Sequence, residues 1–220
     1  MSPLNPAEVR VLGSLIEKDI TTPDYYPLTL NALTNACNQS SNRDPVMSLS
    51  DQDVVRGLDS LREKKLAFMF EGADSRVSKY GHRFAETFEL ARPGTAVMCV
   101  LMLRGPQTLG EIRGRAARMH EFPGLEEAAA ELASLIARSP EPLVLKLPRQ
   151  PGFKEQRYAH LLAGTVSIPA PEAGRTPEPA VIAVRAENER LARLEAEAAA
   201  LRAELADLRG QLAELRKQLE

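Results

Sequence analysis

Residues 33–54, LTNACNQSSNRDPVMSLSDQDV, set one thiol, Cys37, among three asparagines, an arginine and an Asp-Pro pair. Cysteine is the side chain here best able to attack a carbonyl, but it needs a base folded against it. His82 or His120 could serve only if the fold carried one of them there, and no spacing in the chain does so. The second cysteine, Cys99, is far away in sequence and completes no Cys-x-x-Cys motif. Both thiols therefore read as reduced and buried, neither redox-active nor metal-binding. No carboxylate pair, metal-ligand set or phosphate-cradling glycine loop occurs with usable spacing, so no enzyme, no cofactor and no metal are expected.

The same stretch also reads as an elbow. Asn38 or Gln39 can end one helix, Asp44-Pro45 forces extended or turn geometry, and Ser50 can start the next helix. Arg43 is then its one unexplained charge. Before the elbow, Asn5 caps a helix with Pro6 at its first position, and Val9, Leu12, Leu15 and Ile16 recur at helical spacing. A second helix fits residues 28–38. In the third, Ser50 can accept from the backbone of Asp53, with Leu49 and Val54 at staple positions and Val54, Leu58 and Leu61 as the apolar face. LAFMFEG and SRVSKYGHRF then read as two short strands about a turn at Gly72, Ala73 and Asp74.

This order recurs. Residues 95–103, TAVMCVLML, form an apolar helix ended by Arg104-Gly105-Pro106. Thr108 caps LGEIRGRAARM, LEEAAAELASLIAR makes a third helix, and PLVLKLPRQPGFKEQRYAHLL gives two strands. The fold class is therefore mainly α with small β-hairpins, an α+β chain. Two tandem winged-helix domains span 1–90 and 91–163.

Residues 164–180 carry four prolines without helical period and read as a Pro-rich linker. Beyond it, residues 181–220 keep a strict heptad: Leu191, Leu194, Ala198, Leu201, Leu205, Leu208, Leu212, Leu215 and Leu219 fill a and d. Flanking charges favour a parallel pairing, since Arg190–Glu195, Glu197–Arg202 and Glu204–Arg209 would each attract across it. A C-terminal coiled-coil helix and a homodimer are expected, because a lone helix would leave the leucine stripe in water.

YYPLTLNALTNACNQSSNRDPVMSLSDQDV, SRVSKYGHRF and RGPQTLGEIRGR together resemble the YceH-like family of bacterial proteins. The resemblance covers residues 4–163 and implies a pair of winged helices without an established activity. It stops before the linker and heptads, which read as a lineage addition.

Charge narrows the function. A formal net charge of -2 on 220 residues, with 44% hydrophobic and 26% charged, excludes a bulk polyelectrolyte. With no membrane-length apolar run and no leader-like start, a cytoplasmic protein is expected. Only residues 91–163 lean basic, with 10 cations against 7 acids.

Winged helices often place their third helix in the major groove, yet here those helices open SDQDVVRG and GLEEAAAEL, with carboxylates where phosphates would lie. Cations gather elsewhere. The first wing has Arg76, Lys79, His82 and Arg83 around Tyr80; the second has Arg149, Lys154 and Arg157 with Phe153 and Tyr158. Arg113, Arg115 and Arg118 follow Thr108. With Arg43, these cations are candidate phosphate contacts for double-stranded DNA, giving affinity with little base specificity. The rival is a protein–protein scaffold. Acidic third helices resemble those of ScpB-type chromosome-partitioning subunits, which grip protein partners, and Tyr25, Tyr26 and Phe122 could mark such a surface.

Overall fold

A computed structural model describes residues 2–70, 77–149 and 155–164. The first half comprises α1 (Pro6–Thr21), a 3-10 turn (Pro23–Tyr25), β1 (Leu28–Thr29), α2 (Leu30–Cys37), α3 (Asp51–Glu63), β2 (Ala67–Phe70) and β3 (Lys79–His82). A short helix, α4 (Phe84–Thr87), leads into the second half. That half contains α5 (Arg92–Arg104), β4 (Gln107–Thr108), α6 (Leu109–Ala116), α7 (Leu125–Ala137), β5 (Val144–Lys146) and β6 (Arg157–His160). The fold is α+β, and the order helix, strand, helix, helix, strand, strand occurs twice.

Each half has an antiparallel three-stranded sheet, ordered β1-β3-β2 and β4-β6-β5. The registers correspond: Leu28 faces Tyr80 and Thr29 faces Lys79 in one, while Gln107 faces Tyr158 and Thr108 faces Arg157 in the other. The expected hairpins are each extended by a third strand. Dipeptide strands are too short to show a period, so β1 was hidden inside the expected second helix, which starts at Leu30. Thr29 and Thr108 each end a strand and cap a helix, accepting from Ala32 and Glu111 respectively. Phe84 leaves the expected strand for α4, where it is fully buried. The turn at Gly72, Ala73 and Asp74, the linker beyond Gly164 and the heptad leucines Leu191 to Leu219 lie outside the described residues.

Helix starts follow their caps. Asn5 accepts from Glu8 N at 2.9 Å while Glu8 accepts from Asn5 N at 2.8 Å, satisfying two otherwise orphaned donors at the head of α1. Ser50 and Asp53 make the same reciprocal pair on α3. At the other end of α5, Gly105 has φ +67° and ψ −155°, a conformation that essentially only glycine adopts at low cost.

The two halves share one core. α1 packs most extensively on α5, and the buried cluster runs without a break from Leu12, Leu15 and Leu58 to Val97, Leu101, Ile112 and Leu132. α5 is buried at every position from Gly94 to Leu103, which is why its sequence has no polar face. α1 is similarly enclosed and carries Glu8, Arg10 and Glu17 into the interior. Such charges persist only with partners. Glu8 takes Lys64 at 2.7 Å, and Arg10 donates to the carbonyls of Cys37 at 3.0 Å and Pro45 at 2.5 Å. Glu17 takes two arginines, described below.

Candidate nucleic-acid interface

Arg43 explains the elbow and corrects one expectation. Its side chain is 0% exposed and ion-paired to Glu17 at 2.6 Å. Its guanidinium also donates to the Ala36 carbonyl from Nε at 3.1 Å and Nη2 at 2.8 Å, closing the end of α2. A group so enclosed cannot reach a phosphate, so Arg43 is a structural clamp between α1, α2 and the elbow. Cys37, also fully buried beside it, is not poised for attack: burial pushes its thiol up to about 11 despite the nearby Arg10 and Arg43 cations.

The remaining cations divide by their partners. Arg118 reaches Glu17 Oε1 at 2.8 Å while its side chain stays 57% exposed. Glu111 is shared by Arg115 at 3.5 Å and Arg157 at 3.6 Å, and Arg157 also donates to the Pro106 carbonyl. Arg113 donates to the carbonyls of Phe122 and Pro123. Arg83 is exposed and lies over the Phe68 ring, 5.7 Å from its centroid. Lys79 sits on β3 opposite Phe70 and Thr29. Arg149 is exposed at the end of the second described segment. Arg76 and Lys154 lie outside the described residues.

At least four of the eight described candidates, Arg43, Arg115, Arg118 and Arg157, thus hold carboxylates. Three of these pairs are partly exposed and worth at most about 1 kcal/mol each, so a phosphate could compete for them. They nevertheless lower the positive field that a phosphate would meet.

The third helices lean the other way. Asp51, Gln52, Arg56, Asp59, Arg62 and Glu63 are exposed on α3, two cations among three acids. On α7 the exposed residues are Leu125, Glu126, Glu127, Ala130, Ala133, Ser134 and Ala137, with no cation between Leu125 and Ala137. Beside the start of α7, Leu109, Leu125, Lys146 and Tyr158 line an open groove of about 260 Å³. Of the aromatic residues expected to mark a surface, Tyr25 is 79% exposed, whereas Phe122 is 4% exposed. Tyr26 is tied down by the His82 backbone N–H, which donates to its hydroxyl at 2.6 Å.

Sequence reading missed Arg104 and Lys146. Arg104 looked like a helix-ending residue and Lys146 an ordinary strand cation; their company, Arg115 and Arg118 for one and the Tyr158 ring for the other, is tertiary. No group of three or more acid, histidine or cysteine side chains suited to a metal occurs among the described residues. No described helix is long and apolar enough to cross a membrane.

Residues 4–153 match the family described as "Protein of unknown function, DUF480". Among similar proteins is a UPF0502 protein of Opitutus terrae, 59% identical over 176 residues, covering 80% of this chain and 76% of the relative. Another, from Geotalea uraniireducens, is 56% identical over 196 residues and covers 89% of both chains. A third, from Geobacter metallireducens, is 57% identical over 195 residues and covers 88% of both. Alignments of that length exceed the 163 residues before the linker, so similarity continues into the C-terminal segment. The similarity therefore runs past residue 163, the bound expected from the sequence.

Proposed function

We propose, for a chain that belongs to the DUF480 (UPF0502) family and so to the YceH-like proteins it resembles, a non-catalytic tandem winged-helix protein that binds a protein partner. The repeated α-β-α-α-β-β order with paired three-stranded sheets supports the winged-helix reading. The observation that carries the interaction reading is the solvent face of α7. It offers Leu125 at 49% exposure beside Glu126 and Glu127, with small residues behind and no cation. A helix of that kind repels phosphate but suits a partner with apolar and basic side chains. The C-terminal heptads would join two copies in parallel, and doubling the modules raises apparent affinity where the linker lets both engage. Two reduced, buried thiols suit a cytoplasmic location.

A second reading, DNA binding through the wings, draws on one correspondence: Lys79 and Arg157 occupy equivalent register positions, each opposite a threonine that caps a helix. Titrating labelled duplex at several salt concentrations separates the two. The interaction reading expects no binding at low salt and capture of a protein from lysate that survives nuclease treatment. A steep fall of log affinity with log salt would favour the wings instead.

A further inference from the structure

Where the late part of α1, the elbow, the end of α5 and the end of α6 meet, arginines converge on a small cleft. Its lining includes Glu17, Asn42, Arg104, Arg115 and Arg118 over an apolar floor of Val100, Leu103 and Met119. Each Glu17 oxygen already faces a guanidinium, Oε2 that of Arg43 and Oε1 that of Arg118. Arg115 touches Glu111 only at 3.5 Å, leaving most of its donors unused. Arg104 donates to the Asn42 amide oxygen, and no ion pair to a carboxylate holds it among the described residues. Burial first, and then the like charges of Arg115 and Arg118, lower the pKa of Arg104, which is the electrostatic mark of crowded cations short of anions. Counting the nearby acids, Glu17, Asp44 and Glu111 stand against the four guanidiniums of Arg43, Arg104, Arg115 and Arg118, leaving one positive charge in excess.

We infer that this cleft is a binding site for a small phosphate-bearing anion, gripped by Arg104, Arg115 and Arg118. Guanidinium forks match phosphate oxygens geometrically, and three of them, one from the end of α5 and two from the end of α6, suit a tetrahedral group with several free oxygens better than a planar carboxylate. The cleft is open to solvent and its water-accessible space is only about 10 Å³, room for one water-sized group. The ligand therefore places one terminal phosphate oxygen at the bottom and keeps the rest of itself outside, as a phosphate monoester or inorganic phosphate can. The site is independent of whether α7 meets a protein, because it lies on other residues. An anion there would tie Asn42 in the elbow to α5 and α6, stabilising the contact between the halves.

Calorimetric titration of inorganic phosphate into the full chain, at ionic strength fixed with chloride, tests the site. The expected result is saturable binding of one phosphate, weakened about tenfold by Arg104→Gln and by Arg115→Gln, the effect of losing one charge-assisted hydrogen bond. Arg113→Gln should keep the original affinity, because that guanidinium is engaged on the Phe122 and Pro123 carbonyls. Arg115 is a partly exposed side chain, so its variant keeps the test readable even if Arg104→Gln lowers the melting temperature. Absence of saturable binding overturns the inference. So does equal weakening by Arg113→Gln, or binding of a duplex oligonucleotide through Arg104 and Arg115 while free phosphate fails to bind.

Discussion

Glu17 is a buried carboxylate with an arginine on each oxygen, one enclosed and one largely in solvent. The two pairs should differ in worth. Glu17→Gln strands the Arg43 guanidinium without its counter-charge and is expected to cost about 3–5 kcal/mol. Arg118→Gln removes a solvent-screened partner and should cost no more than about 1 kcal/mol. Urea midpoints of the two variants, compared at constant m, check the ranking. His160 gives a pH signature. Its Nδ1 is sealed from solvent without a hydrogen-bond partner among the described residues, and burial pushes its pKa down to about 4. An unfolded histidine near 6.5 takes up its proton first. The unfolded state therefore binds more protons as pH falls from about 6.5 to about 4, and stability drops by at most about 1.4 kcal/mol per pH unit, levelling off below. His160→Gln should flatten that part of the stability profile, measured as the difference between urea midpoints at pH 7 and pH 5.

At the scale of elements, the contact between α1 and α5 depends on a missing side chain. A Cβ on Gly13 would stand 2.9 Å from Leu103 Cδ2 and 3.3 Å from Met102 Cβ. Alanine favours a helix over glycine by about 0.5–1 kcal/mol, but overpacking a closed core costs about 1–3 kcal/mol. Gly13→Ala should thus destabilise the protein by about 1 kcal/mol net, seen as a lower melting temperature, and Gly13→Val by more. Gly105 works through backbone rather than space, since nothing lies within 4 Å of where its Cβ would be. Gly105→Ala should lose about 1–3 kcal/mol because its φ and ψ exclude a side chain at low cost, measured by the same melts.

For the whole molecule, the shared core makes the halves interdependent. Helix α5 is apolar all round because α1 covers one side of it and its own half covers the rest. A fragment of residues 91–163 alone would expose that α1-facing surface to water and is expected to lack a cooperative melt by circular dichroism, whereas residues 1–163 should melt in one transition. The thiols report the same event. Cys99 is completely enclosed, donates to the Gly13 carbonyl at 3.4 Å, and has its pKa raised by burial. Alkylation of Cys37 and Cys99 at pH 8 should follow global unfolding and show no fast native phase. Crosslinking the full chain beside one ending at residue 180 examines the proposed pairing. A dimer with the heptads and a monomer without them is the expected outcome, and two monomers would remove the pairing from the account.

Features that depend on neighbours a few residues apart can be read from the chain alone. The caps at Asn5, Ser50 and Thr108, the apolar face of α3 and the stop at Gly105 are local bargains between backbone donors, side-chain acceptors and φ preference, and each was legible as written. Tertiary structure decided what depends on meetings across the chain. Arg43 looks like any elbow cation until Glu17, 26 residues earlier, arrives to bury it. The dipeptide strands exist only because β3 and β6 lie alongside to pair with them. Arg104 becomes part of a cationic cleft only when α6 delivers Arg115 and Arg118. Charge is additive along a sequence, but its pairing is a property of distance in space, and that only the folded chain supplies.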